Sequence, residues 1–214
     1  MYFRKTKEPS LLFCFLLLVS GCTSVHPSTG FIEDYSGLAK GKHFIRERVQ
    51  SGGDLTHYQK VRVEPVTLKF FSSPYENYSQ AELDKLASDM KASLESQLSK
   101  KFVVLKGSQA VDDQTLVVEP ALVFVTSPER VVNLLTFWLI GFQFSKGAAA
   151  FEAKLLDGAS NKVVAEVAEQ RKGGGGITDI PSILIGGLFR FIHAEGAFKR
   201  WGKEILKMTE PPKS

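Results

Sequence analysis

The chain has 214 residues, of which 43% are hydrophobic, and it carries a formal net charge of +4. This length is enough for one domain with a sizeable core but hardly for two. The small total charge suggests neither a nucleic-acid-binding face nor a polyanion site. With only two cysteines, Cys14 and Cys22, the sequence gives no indication of a disulfide framework or a cysteine-based metal site.

The first 22 residues have the layout of a secretory leader. Basic residues near the N terminus precede an uninterrupted apolar run over residues 11–19, and this run is shorter than the roughly 20 apolar residues that span a bilayer. Residues 19–22, Val-Ser-Gly-Cys, resemble the lipobox of bacterial lipoproteins. We therefore predict a signal peptide over residues 1–21, cleavage between Gly21 and Cys22, and lipid attachment at Cys22. A plain secretory signal with an incidental thiol is the alternative.

Cleavage at this point would change the composition of the chain. The leader contains Cys14 and an excess of basic residues, so the mature chain has nearly balanced charges. Residues 22–29 are short, polar and proline-containing, which is typical of a flexible tether. We predict a single periplasmic-type domain over residues 30–210 behind this tether.

The tether is followed by the sequence Gly-Phe-Ile-Glu-Asp-Tyr-Ser-Gly-Leu. Its spacing predicts that Phe31, Tyr35 and Leu38 dock on the body of the domain. Asp34 and Ser36 are residue types that form local turn hydrogen bonds.

This segment resembles the opening signature of a bacterial envelope lipoprotein family known as domain of unknown function 3313. It differs from that signature only at Ile32, where the family has leucine. Later stretches at residues 61–66, 151–157 and 197–201 follow the order and approximate spacing of the family. The resemblance implies a lipid-anchored envelope protein, and the family offers no catalytic residues to transfer.

The hydrophobic pattern predicts an α+β domain, with α/β-like character, built on a mixed sheet of about five strands. Alternating apolar residues predict strands at residues 61–70, 102–105, 116–124, 148–156 and 162–170. A phase slip at Pro65 indicates a bulge in the first strand, and Pro120 indicates a bulge or an edge position for the third. A turn at residues 157–161 would join the last two strands as a hairpin.

Two helices are predicted from a period of three to four residues. The first begins at a capping box formed by Ser79 and Glu82 and continues to Leu98, crossing between the first two strands. The second covers residues 191–208 and packs on the sheet. Residues 40–60 are polar and have no sustained period, so we predict a surface connection there. Within it, the isolated His43 and His57 are expected to be solvated, and no metal site is predicted.

Two strongly apolar stretches, at about residues 131–144 and 177–192, depart from the family pattern. Neither is long enough to span a bilayer. One hypothesis is that they are buried in the core. The other is that they form an exposed surface that contacts a bilayer or another subunit. The candidate interface residues are Phe137, Trp138, Leu139, Ile140, Ile183, Leu184 and Ile185.

The leading hypothesis is a lipid-anchored cell-envelope protein on the periplasmic face of the outer membrane, acting as a binding or assembly module without a cofactor. Thr23, in place of an aspartate after the cysteine, fits sorting to the outer membrane. The expected partners are the membrane, through the lipid, and a protein or a second copy, but not nucleic acid. One alternative is a subunit of an oligomeric envelope complex that uses the apolar stretches as interfaces.

The other alternative is a periplasmic enzyme. It lacks support because neither a Gly-x-Ser-x-Gly nor a His-Glu-x-x-His motif is present. Asp112 and Asp113 form a carboxylate pair on a polar loop, which we expect to be solvated. His193, at the rim of the second apolar stretch, is expected to be a structural or boundary residue and not a base.

Overall fold

The structure, a computed structural model, describes residues 29–72, 77–126, 148–172 and 192–211. These residues contain six strands and two helices, which together confirm the predicted α+β class with one strand more than expected. The strands are β1 (Arg46–Val49), β2 (Lys60–Val63), β3 (Val103–Leu105), β4 (Thr115–Thr126), β5 (Ala148–Asp157) and β6 (Val163–Lys172), and the helices are α1 (Gln80–Leu98) and α2 (Ile192–Met208).

The strands form one mixed sheet in the order β1-β6-β5-β4-β2-β3. Strand β2 is parallel to both β3 and β4, and the other neighbouring pairs are antiparallel. Helix α1 makes the predicted crossover between β2 and β3. Strands β5 and β6 form the predicted hairpin, in whose turn Asn161 adopts a φ of 55°, a left-handed conformation that asparagine tolerates better than most residues.

The predicted surface connection over residues 40–60 is wrong in part. Strand β1 lies within it and pairs antiparallel with β6, and Phe44, Leu55 and Tyr58 are buried in the main core. The four residues of β1, Arg-Glu-Arg-Val, show no alternation of apolar and polar side chains. The strand is held instead by charged side chains that have partners on both of its faces. The hydrophobic pattern of this segment therefore does not indicate a strand.

The predicted strand at residues 61–70 is also shorter than expected. Strand β2 ends at Val63. Beyond Pro65 the chain contacts β4 again at an isolated bridge between Thr67 and Ala121, and at Ser72, whose amide donates to the carbonyl of Val123 at 3.0 Å. Pro120, on β4, faces this interruption: its carbonyl oxygen accepts from the Thr67 amide at 2.9 Å. Because the nitrogen and oxygen of one strand residue point to the same side, the missing N–H of Pro120 does not disturb the pairing of β4 with β5.

Both helices pack on one face of the sheet. The capping box that begins α1 is confirmed, since Ser79 and Glu82 bond reciprocally through side chain and backbone. The apolar stripe of α2 is buried, and the ring of Trp201 stacks on that of Phe151, on β5, with centroids 4.8 Å apart and planes 15° from parallel. The buried residues that the helices contribute are Leu86, Met90, Leu94, Leu98, Ala194, Phe198, Trp201 and Ile205.

Neither α1 nor α2 has the length and apolarity needed to cross a bilayer. The predicted signal peptide, Cys22 and the tether up to residue 28 lie outside the described residues. So do the two apolar stretches, except for Ile192, the first residue of α2.

Candidate functional site

Residues 29–38 cover the sheet on the face opposite the helices, and we call this segment the N-terminal strap. On β5, Phe151, Ala153 and Leu155 point into the helix-side core. Because successive side chains of a strand alternate between faces, Glu152 and Lys154 point to the strap. The family-like opening sequence therefore forms a layer of the fold.

The strap is held by a hydrogen-bond network centred on Tyr35 and Glu152. The Tyr35 hydroxyl and the Thr29 hydroxyl both donate to Oε2 of Glu152, at 2.7 and 2.9 Å. The Tyr35 oxygen in turn accepts from the backbone amides of Thr29 and Ile32 at 3.2 and 3.3 Å. Burial is the main cause that raises the pKa of Tyr35. Glu152 is only 5% exposed, so the strap supplies donors that a buried carboxylate requires.

A second polar contact joins the strap to the edge of the sheet. The guanidinium of Arg48, on β1, lies between Asp34 of the strap, at 3.0 Å, and the buried carboxylate of Glu166, at 2.8 Å from Nε. Asp34 also accepts from the amide and hydroxyl of Ser36, as predicted for this turn. These Ser36 bonds, followed by the bond from Arg48, lower the pKa of Asp34.

Apolar contacts complete the docking of the strap. Ile32 and Leu38 are buried, and the ring of Phe31 meets that of Phe70 edge to face at 5.7 Å. The ammonium of Lys154 lies 5.3 Å from the centre of the Phe31 ring. The predicted docking of Phe31, Tyr35 and Leu38 is thus confirmed, whereas the burial of Ile32 was not predicted.

One end of the sheet holds the strand ends that border the two apolar stretches in the sequence. Thr126, the last residue of β4, pairs with Ala148, the first of β5, and Ala148 pairs with Lys172, the last of β6. The chain leaves the sheet at Thr126 and returns at Ala148, and it leaves again at Lys172. All seven candidate interface residues belong to residues 127–147 or 173–191, which lie outside the described residues. The register places Thr126 and Lys172, the last described residues before these segments, on either side of Ala148.

The two histidines of the predicted surface connection have separate local roles. Nδ1 of His43 lies 3.7 Å from Oε2 of Glu204 on α2. Nδ1 of His57 donates to the carbonyl of Asp54 at 2.7 Å, and its ring lies on that of Tyr58. Within the described ranges, no group of three or more His, Cys, Asp or Glu residues is placed to hold a metal ion.

Asp112 has structural partners, so it is not simply solvated. It accepts from the ammonium of Lys60 and the hydroxyl of Thr115, both at 2.5 Å, and these two bonds lower its pKa. Asp113 is exposed. His193 lies in the first turn of α2, and its side chain is outside the described part of the chain.

A six-stranded mixed sheet, with two helices on one face and a strap on the other, defines the class of the domain as α+β. The chain belongs to the family described as Protein of unknown function (DUF3313), whose sequence model matches residues 27–204. The resemblance predicted from the opening sequence is thereby confirmed.

Solved structures with a similar arrangement include two PelC dodecamers, one of them of a variant, from Paraburkholderia phytofirmans. They align with TM-scores of 0.46 and 0.45 at 12% and 13% identity, over 78% of this chain and 98% of the PelC chains. A DUF4136 family protein from Bacteroides thetaiotaomicron aligns with a TM-score of 0.35 at 10% identity, over 72% of this chain and 95% of that one. No curated protein matches the sequence.

Proposed function

We propose that the protein is lipid-anchored through Cys22 in the bacterial cell envelope, at the periplasmic face of the outer membrane, and that it acts by binding and not by catalysis. The lipobox-like residues 19–22 support the anchor. The strap begins seven residues after Cys22 and is bonded to β5 through Tyr35, so the tether would join the body at a fixed point.

The observation that carries the binding function is the convergence of Thr126, Ala148 and Lys172 at one end of the sheet. The chain leaves the sheet there, at Thr126 and at Lys172, toward the two apolar stretches. Contiguous apolar surface on a small domain usually has a partner, and aromatic residues such as Phe137 and Trp138 dominate interface energetics. We propose that these stretches contact a second copy of the chain or another envelope protein.

The non-catalytic part of the proposal is supported by the roles of the polar groups in the described residues. The Glu152 carboxylate accepts from the strap, the Asp112 carboxylate accepts from Lys60 and Thr115, and His43 faces Glu204. Each group stabilises the fold, and a general acid or base would need freedom to exchange its proton with a substrate.

The anchor is tested by membrane fractionation and by mass spectrometry of the mature N terminus. We expect the wild-type chain to require detergent for release and Cys22→Ser to lose the acyl mass. Cys14→Ser is the matched control, because it removes the other cysteine from within the leader and should leave the lipid in place. An unmodified thiol at Cys22 in the wild-type chain would refute the anchor.

The interface is tested by measuring the mass of the detergent-solubilised full chain by light scattering during size-exclusion chromatography. Self-association predicts a multimer that Phe137→Ser with Trp138→Ser dissociates. Val103→Ser, at a 65% exposed position on the edge strand β3, serves as the control and should leave the mass unchanged. If the wild-type chain is a monomer, self-association is excluded, and crosslinking to another envelope protein must depend on the same two residues.

A further inference from the structure

The solvent face of α2 is uniformly basic. Ala194, Phe198, Trp201 and Ile205 of this helix are buried. At 3.6 residues per turn, the described side of its opposite face, from Gly196 onward, consists of Gly196 and four cations. We call these four residues the basic face; they are Lys199, Arg200, Lys203 and Lys207, and all are exposed. From the first to the last, the backbone advances about 12 Å.

Most of this charge is uncompensated. Within the described residues, Lys199, Arg200 and Lys203 have no ion-pair partner, and only Lys207 pairs, with Glu204 at 3.0 Å. A loop carrying the exposed Lys40 and Lys42 flanks the helix, since the neighbouring His43 contacts Glu204. The positive field of the helix therefore extends onto this loop.

Helix α1, which packs beside α2, differs from it in how its cations are paired. Its surface cations are neutralised along the helix: Lys85 pairs with Asp89 at 2.6 Å and Lys91 lies 3.8 Å from Glu95. Both cations of α1 therefore have a carboxylate partner one turn away. Of the two helices, only α2 carries cations without an ion-pair partner within the described residues. Uncompensated like charges in one row repel each other, so a counter-charged partner stabilises the arrangement.

We propose that the basic face binds an extended polyanion, namely the carboxylate-bearing polymer of the cell wall. The face contains none of the aromatic anchors that dominate protein interfaces. Its helix cannot insert into a bilayer, because its apolar side is occupied by the sheet. A row of long, flexible cations instead suits repeated anionic groups along a polymer, to which binding releases counterions and is strongly salt-dependent.

The direction in which the basic face points agrees with the cell-wall polymer as its partner. This step rests on the proposed anchor at Cys22. The strap and α2 lie on opposite faces of the sheet. Seven residue steps separate Cys22 from Thr29, and a fully extended chain of that length spans at most about 25 Å. The tether therefore leaves the body from the strap face and holds that face within this distance of the anchoring membrane, with the sheet between the strap and α2. In this arrangement the basic face is directed away from that membrane.

The test is cosedimentation of the full chain, purified in neutral detergent, with isolated peptidoglycan sacculi. The variant combines Lys199→Gln, Arg200→Gln and Lys203→Gln, and the control combines Lys69→Gln, Lys106→Gln and Lys162→Gln. The control removes the same charge from exposed positions elsewhere. We expect affinity to fall roughly tenfold or more in the variant and less than about twofold in the control, and wild-type binding to weaken with salt.

Three results would overturn the proposal: no loss in the variant, an equal loss in the control, or binding only to phosphatidylglycerol vesicles. Circular dichroism checks that both triple variants fold, as expected of substitutions at exposed positions. The outcome is independent of the Cys22 assay. If the chain binds sacculi while its Cys22 thiol is unmodified, the basic-face proposal stands and the anchor is refuted. If Cys22 is lipidated and the chain does not bind sacculi, the anchor stands and the basic-face proposal is refuted.

Discussion

The hydroxyl of Tyr35 donates a 2.7 Å hydrogen bond to Glu152, 117 residues further along the chain. This single oxygen also accepts from two strap amides, so its removal leaves a buried carboxylate and two N–H groups short of a partner. We predict that Tyr35→Phe lowers the free energy of unfolding by about 1–3 kcal/mol, measured by urea denaturation of the detergent-solubilised full chain.

The matched control for this substitution is Tyr58→Phe. The Tyr58 hydroxyl makes one longer bond, 3.2 Å to Asp157, and its loss should cost about 1 kcal/mol or less at neutral pH. A double-mutant cycle of Tyr35→Phe with Glu152→Gln should show coupling of about 0.5 kcal/mol or more. Additive effects of the two changes would contradict the proposed network.

Arg48 provides a second prediction, based on its contact with the buried Glu166. Arg48→Met leaves that carboxylate without its cation, and we expect a loss of roughly 2–3 kcal/mol of unfolding free energy. Arg46→Met, on the same strand, changes a residue that has no ion pair within the described residues, and it should cost less than about 0.5 kcal/mol. Combining Arg48→Met with Glu166→Leu should recover most of the loss; failure to recover it would contradict the role assigned to the pair.

We predict that the same substitution has opposite effects on stability at the two glycines of α2. A Cβ at Gly202 would lie 2.8 Å from Cβ of Gln97 on α1, whereas a Cβ at Gly196 has no heavy atom within 4 Å. We expect Gly202→Ala to destabilise by about 1–3 kcal/mol through the helix contact. Gly196→Ala should stabilise by about 0.5–1 kcal/mol through helix propensity. Thermal melts of both variants measure this, and shifts of the same sign would refute the close approach of the helices.

The phenol of Tyr58 leads to a prediction of how the free energy of unfolding changes at high pH. Burial, followed by the charge of Asp157, raises its pKa from 10.0 to about 12. The folded state therefore holds the phenolic proton more tightly than the unfolded chain. The stability due to this group is complete below pH 10 and is lost as pH rises through about 12.

Urea denaturation at a series of alkaline pH values tests this assignment. In Tyr58→Phe the decline in unfolding free energy over that range should be shallower than in the wild-type chain. A residual slope is expected from Tyr35, whose pKa burial also raises. An identical slope in both proteins would contradict the assignment.

Local signals in the sequence predicted the local structure well. The capping box at Ser79 uses residues three positions apart, and the β5–β6 hairpin follows from apolar alternation on both sides of a five-residue turn. The family-like opening sequence also predicted correctly that Tyr35 docks on the body. In each case the residues that carry the signal are close in sequence or repeat with a regular period.

Strand β1 and the partner of the strap could not be predicted in the same way. In β1, Glu47 accepts from three backbone amides of the preceding loop, and Arg48 bonds to Glu166. Polar contacts therefore hold this strand in the fold, as apolar contacts hold the other strands. Glu152, between Phe151 and Ala153, has the pattern of a solvent-facing position. Its burial depends on a segment over a hundred residues away, and a single sequence carries no pairing information at that range.

The described sheet ends in two very short strands, four residues in β1 and three in β3. An incoming chain would find few backbone groups there to bond with, which is a common protection against uncontrolled strand addition. Where proteins are crowded beside a membrane, this limits fibrous aggregation by sheet extension. The self-association proposed above would then be built from side-chain contacts and would stop at a defined size.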